Sequence, residues 1–143
     1  MRMNQNCYLG VDYHKNYSFL SLLDFSGKKL KEGRVSNHKE NLKDFLKHID
    51  NQNILAVMEA GRNWTVMYDL LEEIVKDVKL AHPLKVKIIA EAKSKTDKID
   101  SEALAHLLRT NLLSEAYVPT MEARTARQIL KTENVFCQIT NYN

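Results

Sequence analysis

Residues 54–58, Ile-Leu-Ala-Val-Met, form an unbroken apolar run of strand length that stops at Glu59. A strand with one wet face alternates apolar and polar side chains, so an uninterrupted run implies cover on both faces. That requirement places the segment inside a layered α/β sheet. Three further strand-like stretches precede it, at 7–14, 17–24 and 28–36, and Asp24-Phe25-Ser26-Gly27 joins the last two as a turn, giving an antiparallel meander. Asn37 and Glu40 have capping-box spacing, and Leu42, Phe45, Leu46 and Ile49 recur at helical intervals, which predicts a crossover helix through Asp50. A second helix is predicted over 63–76, with Trp64, Met67, Leu70, Leu71, Ile74 and Val75 on its apolar side, followed by a short strand over 78–81. Trp64 reads as a core residue rather than a base-stacking platform. Helical stretches at 83–92 and 97–110, an extended 116–119 and an amphipathic start over 121–130 follow. The expected architecture is a mixed five-stranded sheet with flanking helices in the order βββαβαβα.

With 143 residues, 44% of them hydrophobic, the chain can bury a full core as one domain and needs neither disulfides nor a structural metal. Cys7 and Cys137 are too few for a disulfide framework, and Cys7 reads as a small core residue. No apolar run approaches the ~18 residues of a membrane span, and residues 1–6 lack the apolar stretch of a signal peptide, so a cytoplasmic protein with no membrane partner is expected. Residues 1–120 are expected to form the domain. Residues 121–143 read as the start of a helical linker or tail cut short, because 134–143 turns polar just after Ala126, Ile129 and Leu130 have set a helical period.

The most informative stretch is 95–109, Lys-Thr-Asp-Lys-Ile-Asp-Ser-Glu-Ala-Leu-Ala-His-Leu-Leu-Arg. On a helical wheel Ala103, Leu104, Leu107 and Leu108 make one face, and Lys98, Glu102, Ala105 and Arg109 the opposite one. Asp97 and Asp100 fall on the apolar face. Singly, each is explained as a first-turn acid complementing the helix dipole, and Thr96 and Ser101 as capping or exposed hydroxyls. Two other acids are equally out of place: Asp12 interrupts the first strand after Leu9, Gly10 and Val11, and Glu59 ends the run 54–58. If those strands are neighbours, Asp12 and Glu59 meet near one edge and a following helix can bring Asp97 and Asp100 over them. Four converging carboxylates repel one another unless divalent cations neutralise them, and an all-oxygen set suits Mg²⁺ or Mn²⁺ acting in pairs on phosphoryl transfer.

These residues carry a family likeness. The strand Leu9-Gly10-Val11-Asp12-Tyr13-His14-Lys15, the strand end Val57-Met58-Glu59-Ala60 with Gly61 and Trp64, Pro83 with Lys87, and above all Lys95-Thr96-Asp97-Lys98-Ile99-Asp100 resemble the N-terminal RuvC-like domain of the insertion-sequence one-ten transposases and the related pilin-gene inverting recombinases. The resemblance spans about residues 8–130 and implies an RNase H-like fold with a D-E-D-D tetrad at Asp12, Glu59, Asp97 and Asp100. It implies a DNA recombinase, guided by a structured bridge RNA and working as a homo-oligomer. In that family a C-terminal domain, absent from this sequence, supplies a serine nucleophile.

Positive charge is local. From Lys79 to Lys98, six lysines face two acids, a charge of +4 in a chain of net +3. Such a run is a solvated face in many helices, but beside an acidic metal site it is where a phosphate backbone would be drawn in. The nucleic-acid-binding candidates are Lys85, Lys87, Lys93, Lys95 and Lys98, with His14, Lys15 and Arg62 flanking the acids. Alternatives for the same residues are a free-standing RuvC or RNase H-type nuclease and a catalytically silent nucleic-acid-binding or assembly module. A kinase of the actin-like fold is disfavoured, since Tyr13, His14 and Lys15 stand where that fold needs glycines.

Overall fold

The computed structural model describes residues 5–82 and 97–125, with residues 97–100 described as part of a helix. Its elements are β1 (Cys7–Tyr13), β2 (Tyr17–Leu23), β3 (Lys29–Ser36), α1 (Lys39–Phe45), a 3-10 turn (Asn51–Asn53), β4 (Ile54–Glu59), α2 (Trp64–Ile74), β5 (Asp77–Ala81) and α3 (Asp97–Arg109). The five strands form one sheet in the order β3-β2-β1-β4-β5. β1, β2 and β3 pair antiparallel, whereas β4 lies parallel to both β1 and β5. The expected mixed five-stranded sheet is thus observed; the helix expected at 83–92 lies outside the described residues.

Alternation along the strands sorts the core into two layers. Leu9, Val11, Leu20, Leu22, Ile54, Ala56, Met58, Val78 and Leu80 face Leu42, Phe45 and Leu46 from α1 and its end, and Met67, Tyr68, Leu71 and Ile74 from α2. On the other side Val57 and Ala81 pack with Leu104, and Leu107, Leu108 and Leu113 close around them. β4 is therefore covered on both faces, as its apolar run requires, and each fully buried leucine contributes about 1.5–3 kcal/mol. Cys7 is partly buried against the first layer, and burial pushes its thiol pKa up.

Local chemistry sets the connections. Asp24 Oδ1 accepts from the backbone N–H groups of Ser26 and Lys28 and from the Ser26 hydroxyl, while Gly27 takes φ 92°, a left-handed conformation open to glycine. Those hydrogen bonds hold the Asp24 carboxyl below its usual pKa, the Ser26 hydroxyl first among them. After α3 the chain returns along the outer edge of β5: His82 N donates to Ser114 O at 2.8 Å and Ala116 N to Leu80 O at 2.7 Å.

Three expectations need correction. The first crossover helix ends at Phe45 rather than Asp50, because Lys47 N turns back to Asp44 O, Ile49 N to Leu46 O, and His48 adopts φ 73° before β4. Asn37 does not cap that helix: His38 is its N-cap, and Asn37 instead donates to His14 O at 2.6 Å and accepts from the Ser18 hydroxyl at 2.7 Å. The buried face of α3 is also turned, with Ser101 and Ala105 fully buried beside Leu104. The reason lies beneath it. Gly10 and Ser21 are paired across β1 and β2, and these small residues let the helix backbone approach until a Cβ on Gly10 would overlap the Ser101 carbonyl. Ser101 is therefore neither a cap nor exposed; its hydroxyl meets that of Ser21 at 2.7 Å in the interior.

Candidate metal centre

β1 and β4 run side by side in parallel, and the last pair in their register is Val11 with Met58. Asp12 and Glu59 come next on each strand. Leu9 and Val11, like Ala56 and Met58, belong to the α1/α2 layer, so alternation assigns Asp12 and Glu59 to the opposite face, the one that carries Gly10, Val57 and α3.

The direction of α3 follows from its contacts. Ser101 lies over Gly10 in the middle of β1, Glu102 pairs with Lys29 at 3.1 Å, and the Arg109 side chain lies 2.9 Å from where a Cβ on Gly27 would stand. Gly27 belongs to the β2–β3 turn, at the same end of the sheet as the start of β1, where Tyr8 pairs with Leu23. α3 therefore runs opposite to β1, and its first turn lies at the carboxyl ends of β1 and β4. From Ser101 back to Asp97 the helix rises about 6 Å. From Gly10 to Asp12 the strand advances about 7 Å. The helix start that bears Asp97 and Asp100 thus reaches the level of Asp12. Among the described side chains no three His, Cys, Asp or Glu residues gather as a metal cluster.

Asp12 is largely buried, with 18% of its side chain exposed, and His14 Nε2 donates to its Oδ2 at 3.1 Å. Glu59 is exposed. All four candidate donors are carboxylates, hard oxygen ligands whose summed negative charge fits Mg²⁺ or Mn²⁺ and would be costly to hold together uncompensated.

Lys15 and Arg62 join Tyr13, His14 and Asn63 around a cleft of about 450 Å³ beside the strand ends. Lys85, Lys87, Lys93 and Lys95 lie outside the described residues, and Lys98 sits in the first turn of α3. Trp64 packs against the core, edge-on to Tyr68 at 5.4 Å. Four residues that shape this region escape sequence reasoning, Tyr17 and Arg34 because nothing singles them out and Asn37 and Ser101 because capping explains them. Only the glycine inside β1 signalled one of them, since glycine in a strand marks close approach of another backbone.

Comparison with known proteins bears on this arrangement. A family model described as a transposase, that of the IS110 DEDD type, matches residues 9–134. The transposase for insertion sequence element IS1533 of Leptospira borgpetersenii is 27% identical over 136 residues, covering 92% of this chain and 39% of that protein. The chain thus spans about two fifths of that relative's length. A solved structure of T. thermophilus RuvC in complex with a Holliday junction substrate superposes with a TM-score of 0.52 at 11% identity, covering 78% of this chain and 99% of that one. At that identity the likeness speaks to the fold, which is RNase H-like.

Proposed function

Because the chain belongs to the IS110 family of DEDD transposases, we propose that it is the metal-binding catalytic domain of a DNA transposase or site-specific recombinase, with Asp12, Glu59, Asp97 and Asp100 as its metal ligands. What carries the reading is the shared face and end of the sheet: Asp12 and Glu59 follow paired residues on adjoining parallel strands, and Gly10 lets α3 start above them. When bound, two Mg²⁺ or Mn²⁺ ions would activate the attacking oxygen and stabilise the leaving one. The chain's own residues position and attract. Asp12 is held by His14, Glu59 stays open to solvent, and Lys15 and Arg62 in the adjoining cleft offset the repulsion between the carboxylates and a phosphodiester. Lys85, Lys87, Lys93, Lys95 and Lys98 add to that attraction. The substrate is DNA, which fits a fold shared with a protein solved in complex with a Holliday junction substrate. The whole protein, by the family resemblance, is guided by a structured RNA, acts in the cytoplasm as a homo-oligomer and draws a serine nucleophile from a further domain. Among the described residues no helix is long and apolar enough to cross a membrane.

Thermal denaturation with Mg²⁺ or Mn²⁺ tests the centre. Metal that binds the folded chain alone stabilises it by about 2.7 kcal/mol at a hundredfold excess over Kd. The parent should melt higher with metal, and Asp12→Asn, Glu59→Gln, Asp97→Asn and Asp100→Asn should each lose that response. An unchanged response in all four would overturn the tetrad.

A further inference from the structure

Arg34, Tyr17 and His14 form a stacked series that leads from the outer strand of the sheet to Asp12. The Arg34 guanidinium lies 4.1 Å from the Tyr17 ring centroid, and the His14 ring stacks on Tyr17 at 4.7 Å with 19° between planes. His14 in turn bonds Asp12 at 3.1 Å. Register puts the series on the catalytic face: Asp12 pairs with Phe19 and Phe19 with Arg34, so all three share the side of the sheet that carries α3, and Tyr17 lies two residues along the same strand. Arg34 reaches Tyr17 along the diagonal between neighbouring strands.

The other cations of β3 are engaged. Lys29 pairs with Glu32 at 2.9 Å and with Glu102, and Lys31, on the opposite face, donates to Phe45 O at 3.0 Å and lies over the Phe45 ring. Arg34 is exposed, and among the described residues its guanidinium has no hydrogen-bond acceptor and no carboxylate partner. A guanidinium held over a ring is restrained in position yet keeps N–H donors for a forked acceptor, and a phosphate oxygen pair has that shape. Arg34 stands on the β3 side of Asp12 and Arg62 follows β4 on the other, with Lys15 in the β1–β2 loop between them. A ligand that meets all of them must carry negative charge at intervals along its length.

We propose that Arg34, oriented by Tyr17, grips a backbone phosphate of the DNA strand that crosses β3 and β2 toward Asp12. The inference rests on the nucleic-acid reading above and adds to it an entry side for the substrate. Each phosphate contact contributes roughly 0.9 to the slope of log K against log salt. Anisotropy of a fluorescein-labelled DNA duplex, measured across a salt series in metal-free buffer, should show Arg34→Gln lowering the slope by roughly that amount and weakening binding about fivefold at low salt. Arg34→Lys should restore the slope, while Tyr17→Leu should weaken binding with the slope kept. Lys31→Gln, the same charge loss on the opposite face, should leave the slope unchanged. If the parent binds and Arg34→Gln matches Lys31→Gln, the Arg34 assignment is wrong while the nucleic-acid reading stands. An effect confined to an RNA duplex of the same sequence overturns the assignment to DNA. A parent that binds no DNA at any salt removes both.

Discussion

The main chain of Ser101 sits on Gly10 so closely that the smallest side chain would collide with its carbonyl. Backbone-to-backbone contact of this kind cannot be relieved by a rotamer change, so the strand and the helix start are held in fixed relation. Gly10→Ala should cost about 1–3 kcal/mol in chemical denaturation, as overpacking does. It should also weaken the melting response to Mg²⁺ by lifting the first turn of α3 away from Asp12 and Glu59. A full metal response in a destabilised Gly10→Ala would show that helix placement and metal binding are independent.

Ser21 and Ser101 share a buried hydroxyl contact at 2.7 Å, and both side chains are fully enclosed. Removing one hydroxyl takes this hydrogen bond from the other, which costs about 0.5–1.5 kcal/mol, whereas removing both leaves neither facing a lost partner. The double variant Ser21→Ala with Ser101→Ala should therefore be less destabilised than the sum of the singles. Urea midpoints for the four proteins of the cycle measure the coupling.

Asn37 ties the β1–β2 loop to the start of α1 through His14 O and the buried Ser18 hydroxyl. Asn37→Ala should lose about 1–3 kcal/mol, because Ser18 is left without that acceptor in the interior. Asn37→Asp keeps the acceptor and should be milder. Faster amide exchange at residues 14–17 in Asn37→Ala would report the loosened loop.

Burial, and then the neighbouring Glu72 carboxylate, push the Tyr68 phenol up to about 12 from the ordinary tyrosine value near 10. Between those values the unfolded chain has lost a proton that the folded chain keeps. The stabilising contribution is thus complete below about pH 10 and is lost as pH rises toward 12. Phenolate absorbance should show one of the six tyrosines titrating late, and Tyr68→Phe should remove that phase. The stability of Tyr68→Phe should fall less steeply across the same window.

The succession of strands was readable because β4 is apolar at every position before Glu59 and because turn chemistry at Asp24 and Gly27 is local. Asp12 and Glu59 stood out for the same reason, as charges where an apolar pattern stops. The docking of α3 was not readable from hydrophobicity. A wheel counts Ser101 as polar and Ala105 as neutral, yet both are buried because Gly10 and Ser21 leave no room for anything larger. Asn37 misled in a related way: its spacing to Glu40 matches a cap, but the loop at His14 offers its side chain a carbonyl and Ser18 a donor. The Arg34 stack depends on a diagonal between two strands, and no one-dimensional pattern encodes such a diagonal.

The two borders of the sheet are finished differently. β5 is closed off by the returning chain at Ser114, Glu115 and Ala116, which takes up hydrogen bonds that another strand would seek. Among the described residues nothing pairs with the outer side of β3, which is set with Lys29, Lys31, Glu32 and Arg34, charges that a second β3 would bring against its own kind. Two copies of this domain are therefore hindered from joining edge to edge into one continuous sheet, however closely they are brought together.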